Sequence, residues 1–391
     1  MSTVAASSVV WRDNKRYLWP LGAAIFLLPV ASVAAWYFLG GHALWLWAPL
    51  GIFYGLIPAM DYLFGEDEGN PPDAAIPKLA AEGYYRWALY AAVPVYLGAW
   101  AFMIWSIMHF DLAWYETAGM LVSTGLICGL AINIGHELGH QTAPLERMLA
   151  KLALAPGAYG HFFVEHNRGH HVRVATPEDP ATSRFGESFY EFFPRCIIGS
   201  FKSAWQLEKQ RLARRGKSVW HWQNDNLQSW AMTVVIWAGM AAWLGLWALP
   251  VMLFAAVYGG SLLEVVNYLE HYGLKRQQKA DGSYERCQPH HSWNSNHIVT
   301  NVVLYQLQRH SDHHANPTRS YQTLRHFDGV PSLPSGYAAM VLIAYFPPLW
   351  FRLMNPKVVA HFNGDMSRAN IKPSMREAVI AQYRKSEPQT A

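Results

Sequence analysis

The sequence predicts an all-α, polytopic membrane protein with six transmembrane helices and a mainly helical cytoplasmic cap. Three observations lead there. Of the 391 residues, 52% are hydrophobic and 15% charged, well short of the roughly 25% charge of a soluble domain. None of the 31 Lys and Arg falls within 17–77, 87–146 or 218–274, gaps of 61, 60 and 57 residues. Many of the 18 histidines gather into tight clusters that fall on the cytoplasmic side of the expected spans. A soluble bundle of buried helices would leave the matched loss of Lys and Arg unexplained.

A membrane-crossing helix needs about 20 apolar residues, so each gap holds two spans and a tight turn. After a short N-terminus (1–16), the hydropathy places spans at Tyr17–Leu39, Ala43–Phe64, Trp87–Phe110 and Leu112–Ile134. These form two hairpins over 17–134, joined by an inner loop, 65–86, that carries a Gly-Asn-Pro-Pro turn. A histidine-box region follows at 135–226. The third hairpin, 227–269, holds spans Leu227–Leu246 and Leu249–Leu269, and a second histidine-box region runs over 270–391. Setting every Lys and Arg on one side makes both termini and all long loops cytoplasmic. Trp19, Trp36, Trp45, Trp105 and Trp247 sit near span ends, as interfacial anchors do. The first span lacks the short apolar core and small-residue cleavage site of a removable signal, and the tail after Ser386 reads as disordered.

Composition narrows the chemistry. Cys128, Cys196 and Cys287 form no CxxC pair, which excludes disulfide scaffolds, thiolate zinc sites and iron–sulfur clusters. A net charge of +4 without a basic block argues against nucleic acid. The histidines fall in four places: His136-Glu-Leu-Gly-His140, His166-Asn-Arg-Gly-His170-His171, Asn267-Tyr-Leu-Glu-His271 and His310-Ser-Asp-His313-His314. Residues i and i+4 share a helix face, so His136/His140, His166/His170 and His310/His313/His314 are each expected to aim at one point. Imidazole suits iron, copper, zinc and nickel, and this many donors exceeds one ion and matches two with four or five nitrogens each. The paired Glu and Glu-x-x-His repeats of soluble di-iron bundles are missing, so a histidine-rich pair of irons at a membrane surface uses all the residues. His161, His290, His291 and His297 read as loop or supporting residues.

Metal-bound imidazoles usually donate their other N–H to a carboxylate or carbonyl. Glu137, Glu165, Glu270 and Asp312 adjoin the boxes and are expected to orient them. Glu264 lies within a span, where a carboxylate is expensive, and shares a helix face with Asn267 and His271; Asn133 has the same logic more weakly.

The motifs HELGH, EHNRGHH, NYLEHYGL and LQRHSDHH, with FGED near Phe64, PEDPATSR at 177–184 and HHSWNSNH at 290–297, resemble the membrane-bound alkane 1-monooxygenase family. The likeness covers nearly the whole chain. NYLEHYGL narrows it, because the other boxes are shared with membrane desaturases and hydroxylases. The resemblance implies a non-haem di-iron enzyme, without haem or flavin, of the bacterial cytoplasmic membrane. It would insert one atom of O2 into the terminal methyl of a medium-chain n-alkane drawn from the bilayer. Its ligands would be His136, His140, His166, His170, His171, His271, His310, His313 and His314. Electrons would come from rubredoxin, itself reduced by an NADH-dependent reductase, and supplied in trans or by a part absent from this chain, which has no rubredoxin CxxC pairs.

An alkane offers no polar handle, so shape must select the methyl; Trp45, Phe53 and Tyr54 on span two are candidates for the depth of an apolar channel. The basic run Lys202, Lys209, Arg211, Arg214, Arg215 and Lys217 is offset by Glu208 alone. It suits an acidic redox partner or anionic headgroups of the membrane lipids. Other readings are a membrane di-iron desaturase or hydroxylase of another apolar substrate, an intramembrane HExxH zinc protease with Glu137 as base, and a metal transporter. The protease leaves seven clustered histidines unused, and a transporter would place its ligands near the bilayer midplane.

Overall fold

A computed structural model describes residues 11–384; the tail after Ser386 lies outside them. Among the described residues there is no β-strand, only isolated bridges such as Glu66 to His297. Six helices are long and apolar enough to cross a membrane: Leu21–Phe38, Leu44–Phe64, Gly83–His109, Trp114–Gly139, Asp225–Leu244 and Ala248–His271, spans 1 to 6 below. Span 4 runs past the expected Ile134 to Gly139, and span 6 past Leu269 to His271. The helix therefore continues beyond the apolar stretch and carries histidines on its rigid last turn.

Spans 4 and 6 form the centre of the bundle. Gly129 and Gly259 let the two backbones meet: a Cβ on Gly259 would stand 2.9 Å from Gly129 N, and one on Gly129 would stand 3.2 Å from Gly259 O. Small residues at such a crossing replace the hydrophobic drive that is absent in lipid. Span 5 starts at an Asn224 cap, whose side chain accepts from Asn226 N at 2.8 Å, and stops at Gly245, which takes φ 89°.

Span 2 contains a π-helical turn, Ile52–Leu56. Against it and against span 6 packs an apolar helix, Tyr337–Ala344, bent by 118° into Pro347–His361. The hydropathy reading assigned these residues to the cap, because each half is too short to register as a span.

Asp13, Lys15 and Trp19 are drawn in under the cap. Trp19 is 0% exposed, donates to Asp13 at 2.7 Å and meets Tyr321 edge-on. It is therefore no interfacial anchor, whereas Trp247 is 79% exposed. Lys15 pairs with Asp67, which also holds the buried Arg309 at 2.8 Å. These ties fasten the first inner loop to the strip that precedes the last histidine box.

Candidate metal centre

His136 stands on the last turn of span 4 and His140 caps it, one turn apart on one face. The short helix Phe162–Glu165 widens into a π turn, His166–His170. A π turn closes i to i+5, so His166 aligns with His171 while His170 swings away. His271 ends span 6. On the helix His310–Ala315, His310 and His314 lie one turn apart and His313 faces between.

The result is two sets. One nitrogen from each of His136, His140, His166, His171 and His313 lies within 4.8 Å of the others, and the same holds for His170, His271, His310 and His314. The structure thus brings all nine together and divides them five and four. The expected pairing of His166 with His170 fails because the turn is π rather than α, and the last box likewise serves both sets.

The Nε2 atoms face one another. In the first set His136–His313, His313–His171, His171–His166 and His166–His140 are 2.9, 3.1, 3.0 and 3.1 Å apart. In the second, His314–His310 and His310–His271 are 2.8 and 3.3 Å apart. His313, His171 and His166 each face two other Nε2 atoms, which one ring hydrogen cannot satisfy. Nitrogens about 2.1 Å from a shared cation would stand about 3.0–3.4 Å apart. His170 adds an independent sign: its Nδ1 bonds Asp179 at 2.9 Å, and its buried Nε2 has no hydrogen-bond partner.

Outside the spans, His140, His166, His171, His310 and His314 lie well below the ordinary imidazole range, and His313 falls to about 3. Burial is the main cause and repulsion from neighbouring imidazoles the next. The rings are therefore neutral, with lone pairs free for a metal. The donor chemistry fits a pair of transition-metal ions.

The proposed orienting groups are placed differently. Glu137 accepts from Tyr321 N at 3.0 Å and Glu165 from Arg173 at 2.6 Å. Glu264 takes Tyr159 Oη and Asn267 Nδ2, while Asp312 is shared by Arg319, Asn316 and Arg325 N. Only Glu270 reaches a clustered ring, with Oε2 3.2 Å from His310 Nε2 and Oε1 held by Tyr337 at 2.8 Å. Asp179 is the residue that sequence reasoning passed over. It belongs to PEDPATSR, but nothing in its spacing from His170 marks it as that ring's partner.

Below the histidines a small apolar cavity lies between spans 2, 4 and 6 and the helix Tyr337–Ala344. Phe53, Leu126, Leu262 and Val341 line it. Of the expected channel residues, Phe53 faces this space. Tyr54 turns its hydroxyl to Tyr258 at 3.3 Å, and Trp45 is 39% exposed. In the basic run, Lys202, Lys209, Arg214 and Arg215 are exposed. Arg211 is instead committed to the buried Glu208 at 2.6 and 2.7 Å, and Lys217 bonds Gln223. His291 is satisfied within its own loop, accepting from Gln288 N at 2.9 Å and meeting Glu285 at 3.2 Å.

Residues 112–343 match the family model described as fatty acid desaturase. The chain is 46% identical over 388 residues to an alkane 1-monooxygenase of Pseudomonas putida, covering 98% of this chain and 95% of that one. It is also 46% identical over 368 residues to alkane 1-monooxygenase 1 of Alcanivorax borkumensis, covering 93% and 90%. The xylene/toluene monooxygenase hydroxylase component XylM of Pseudomonas putida is 26% identical over 372 residues, covering 92% and 94%.

Proposed function

The chain belongs to the alkane 1-monooxygenase family, and on that footing we propose the finer chemistry: it converts medium-chain n-alkanes to 1-alkanols with O2 and two electrons from reduced rubredoxin at a pair of non-haem irons. The observation that carries this is the gathering of nine histidines into sets of five and four, carried in part on the last turns of the same spans 4 and 6 whose preceding turns, through Asn133 and Val266, line the apolar cavity. His136, His140, His166, His171 and His313 would hold one iron, and His170, His271, His310 and His314 the other. Bound iron supplies the reduction of O2 to an oxidant strong enough to break a terminal C–H bond, which side chains alone cannot provide.

The protein's own part is position and exclusion of water. An alkane cannot be held by hydrogen bonds, so the walls at Phe53, Leu126, Leu262 and Val341 select it by shape and present one methyl to the histidines. Depth would be set at Phe53 rather than at Trp45 or Tyr54. Burial of the rings keeps competing protons and solvent from the site. Lys and Arg lie on the histidine side of the spans, which supports a cytoplasmic site in a bacterial inner membrane. There the exposed Lys202, Lys209, Arg214 and Arg215 would receive an acidic electron donor, with Arg211 and Lys217 held back by their own contacts. The HExxH protease reading leaves seven of the nine gathered histidines without a role.

The test is turnover of octane under 18O2 by the chain in lipid, with rubredoxin, its reductase and NADH. The expected product is 1-octanol carrying one labelled oxygen. An internal octene, or no product from iron-loaded protein, would overturn the proposal.

A further inference from the structure

Among the side chains lining the apolar cavity, two are polar, Asn133 and Tyr337. Both stand at its histidine end. Asn133 lies one turn before His136 on span 4, and Tyr337 reaches Glu270, the neighbour of His271. Each already donates one hydrogen bond. Tyr337 gives its hydroxyl hydrogen to Glu270 Oε1 at 2.8 Å. Asn133 Nδ2 donates to Leu304 O at 2.9 Å; a carbonyl can only accept, so this bond settles which way the amide points. Asn133 Oδ1 then accepts no hydrogen bond from any described residue. It is a strong acceptor on an otherwise apolar wall, in a side chain only 6% exposed.

An n-alkane has no donor for that oxygen, so the group does nothing for the substrate. A primary alcohol does have one, and it is formed at this end of the cavity. We propose that Asn133 Oδ1 is the acceptor for the hydroxyl of the newly formed 1-alkanol, a polar subsite that recognises product and not substrate. The assignment rests on the hydroxylation reading above and deepens it. A hydroxyl formed in an apolar cavity without a partner carries the full cost of its desolvation. With Asn133 it has a partner as soon as it exists, one turn from the ring of His136.

The experiment measures inhibition of octane turnover by 1-octanol, as its Ki divided by the KM for octane, both per mole fraction in the lipid. Asn133→Leu keeps the shape and removes the acceptor. The ratio is expected to rise about tenfold, the scale of leaving one neutral hydroxyl unpaired in an apolar site. An unchanged ratio in a variant that retains its iron would overturn the assignment. Loss of the bond to Leu304 O could unsettle the variant's fold, so a second comparison uses the unaltered protein. There 1-octanol is expected to bind at least as tightly as 1-fluorooctane, which has no hydrogen to donate. If 1-fluorooctane binds several-fold more tightly, the acceptor does not serve the alcohol. Iron-loaded protein that makes no 1-octanol from octane would overturn the hydroxylation reading itself, a result distinct from either of these.

Discussion

Asp179 offers the sharpest perturbation of the four-histidine set. Its Oδ2 accepts from His170 Nδ1 at 2.9 Å and from Thr182 Oγ1 at 2.6 Å, while Oδ1 accepts from Ala181 N at 3.2 Å. Burial opposes its charge, yet the His170 ring and the Thr182 hydroxyl hold its carboxyl below the usual carboxylate range. Asp179 is therefore ionised at neutral pH and keeps the His170 hydrogen on Nδ1, which leaves Nε2 as the metal donor. Asp179→Asn keeps the volume and removes the charge. Losing a carboxylate partner of this kind typically weakens metal binding about 10- to 100-fold, or about 1.4 to 2.8 kcal/mol at 1.4 kcal/mol per decade. No group of the five-histidine set bonds Asp179, so the loss should be confined to one ion. Chelator titration followed by elemental mass spectrometry is expected to show one metal leaving at about 10- to 100-fold lower chelator than in the parent protein, with the other unmoved. Two metals retained as in the parent, or both lost together, would refute the reasoning.

Three further outcomes follow from the geometry. His140, His166, His171, His310, His313 and His314 have imidazole pKa values lowered by burial and by one another. The folded metal-free chain therefore binds fewer protons than the unfolded chain, and its stability must fall as pH drops below the ordinary value of about 6.5. His313, at about 3, alone accounts for about 2 kcal/mol between pH 7 and pH 5; chemical denaturation of metal-free protein in detergent checks this, and greater stability at pH 5 would contradict it. Phe53→Ala opens the outer wall of the cavity and should move the product profile from a mixture of n-alkanes toward longer chains; an unchanged profile would remove Phe53 as the stop. Lys209→Glu with Arg215→Glu should slow rubredoxin-supported turnover about tenfold at low salt. The effect should fade near 1 M salt, where screening falls to about 3 Å, and a salt-independent rate would assign these residues to lipid headgroups instead.

Much of this was legible in the sequence, for physical reasons that also mark where legibility stops. Lys and Arg cannot sit in hydrocarbon, so their absence located the six spans before any helix was seen. The histidines declared themselves by density, because no ordinary core concentrates so many imidazoles. The division into sets was hidden, since spacing arguments assume 3.6 residues per turn and the turn His166–His170 is π-helical. Trp19 reads as an anchor from its position beside a span, yet Asp13 and Tyr321 draw it inward through contacts remote in sequence. Arg211 reads as one more exposed cation of a basic run, but its helix turns it onto the buried Glu208. Asp179 is only nine residues from His170, but it lies past the end of that helix, where no helical period links the two, and the bent helix pair Tyr337–His361 is docked by contacts remote in sequence.

The measurement that bears most directly on the central claim is the metal content of detergent-purified protein, per chain, by elemental mass spectrometry. Two irons per chain are expected, with fewer in His313→Ala, since His313 Nε2 lies against both His136 and His171 in the five-histidine set. One zinc and negligible iron in protein that still turns over octane would contradict the account.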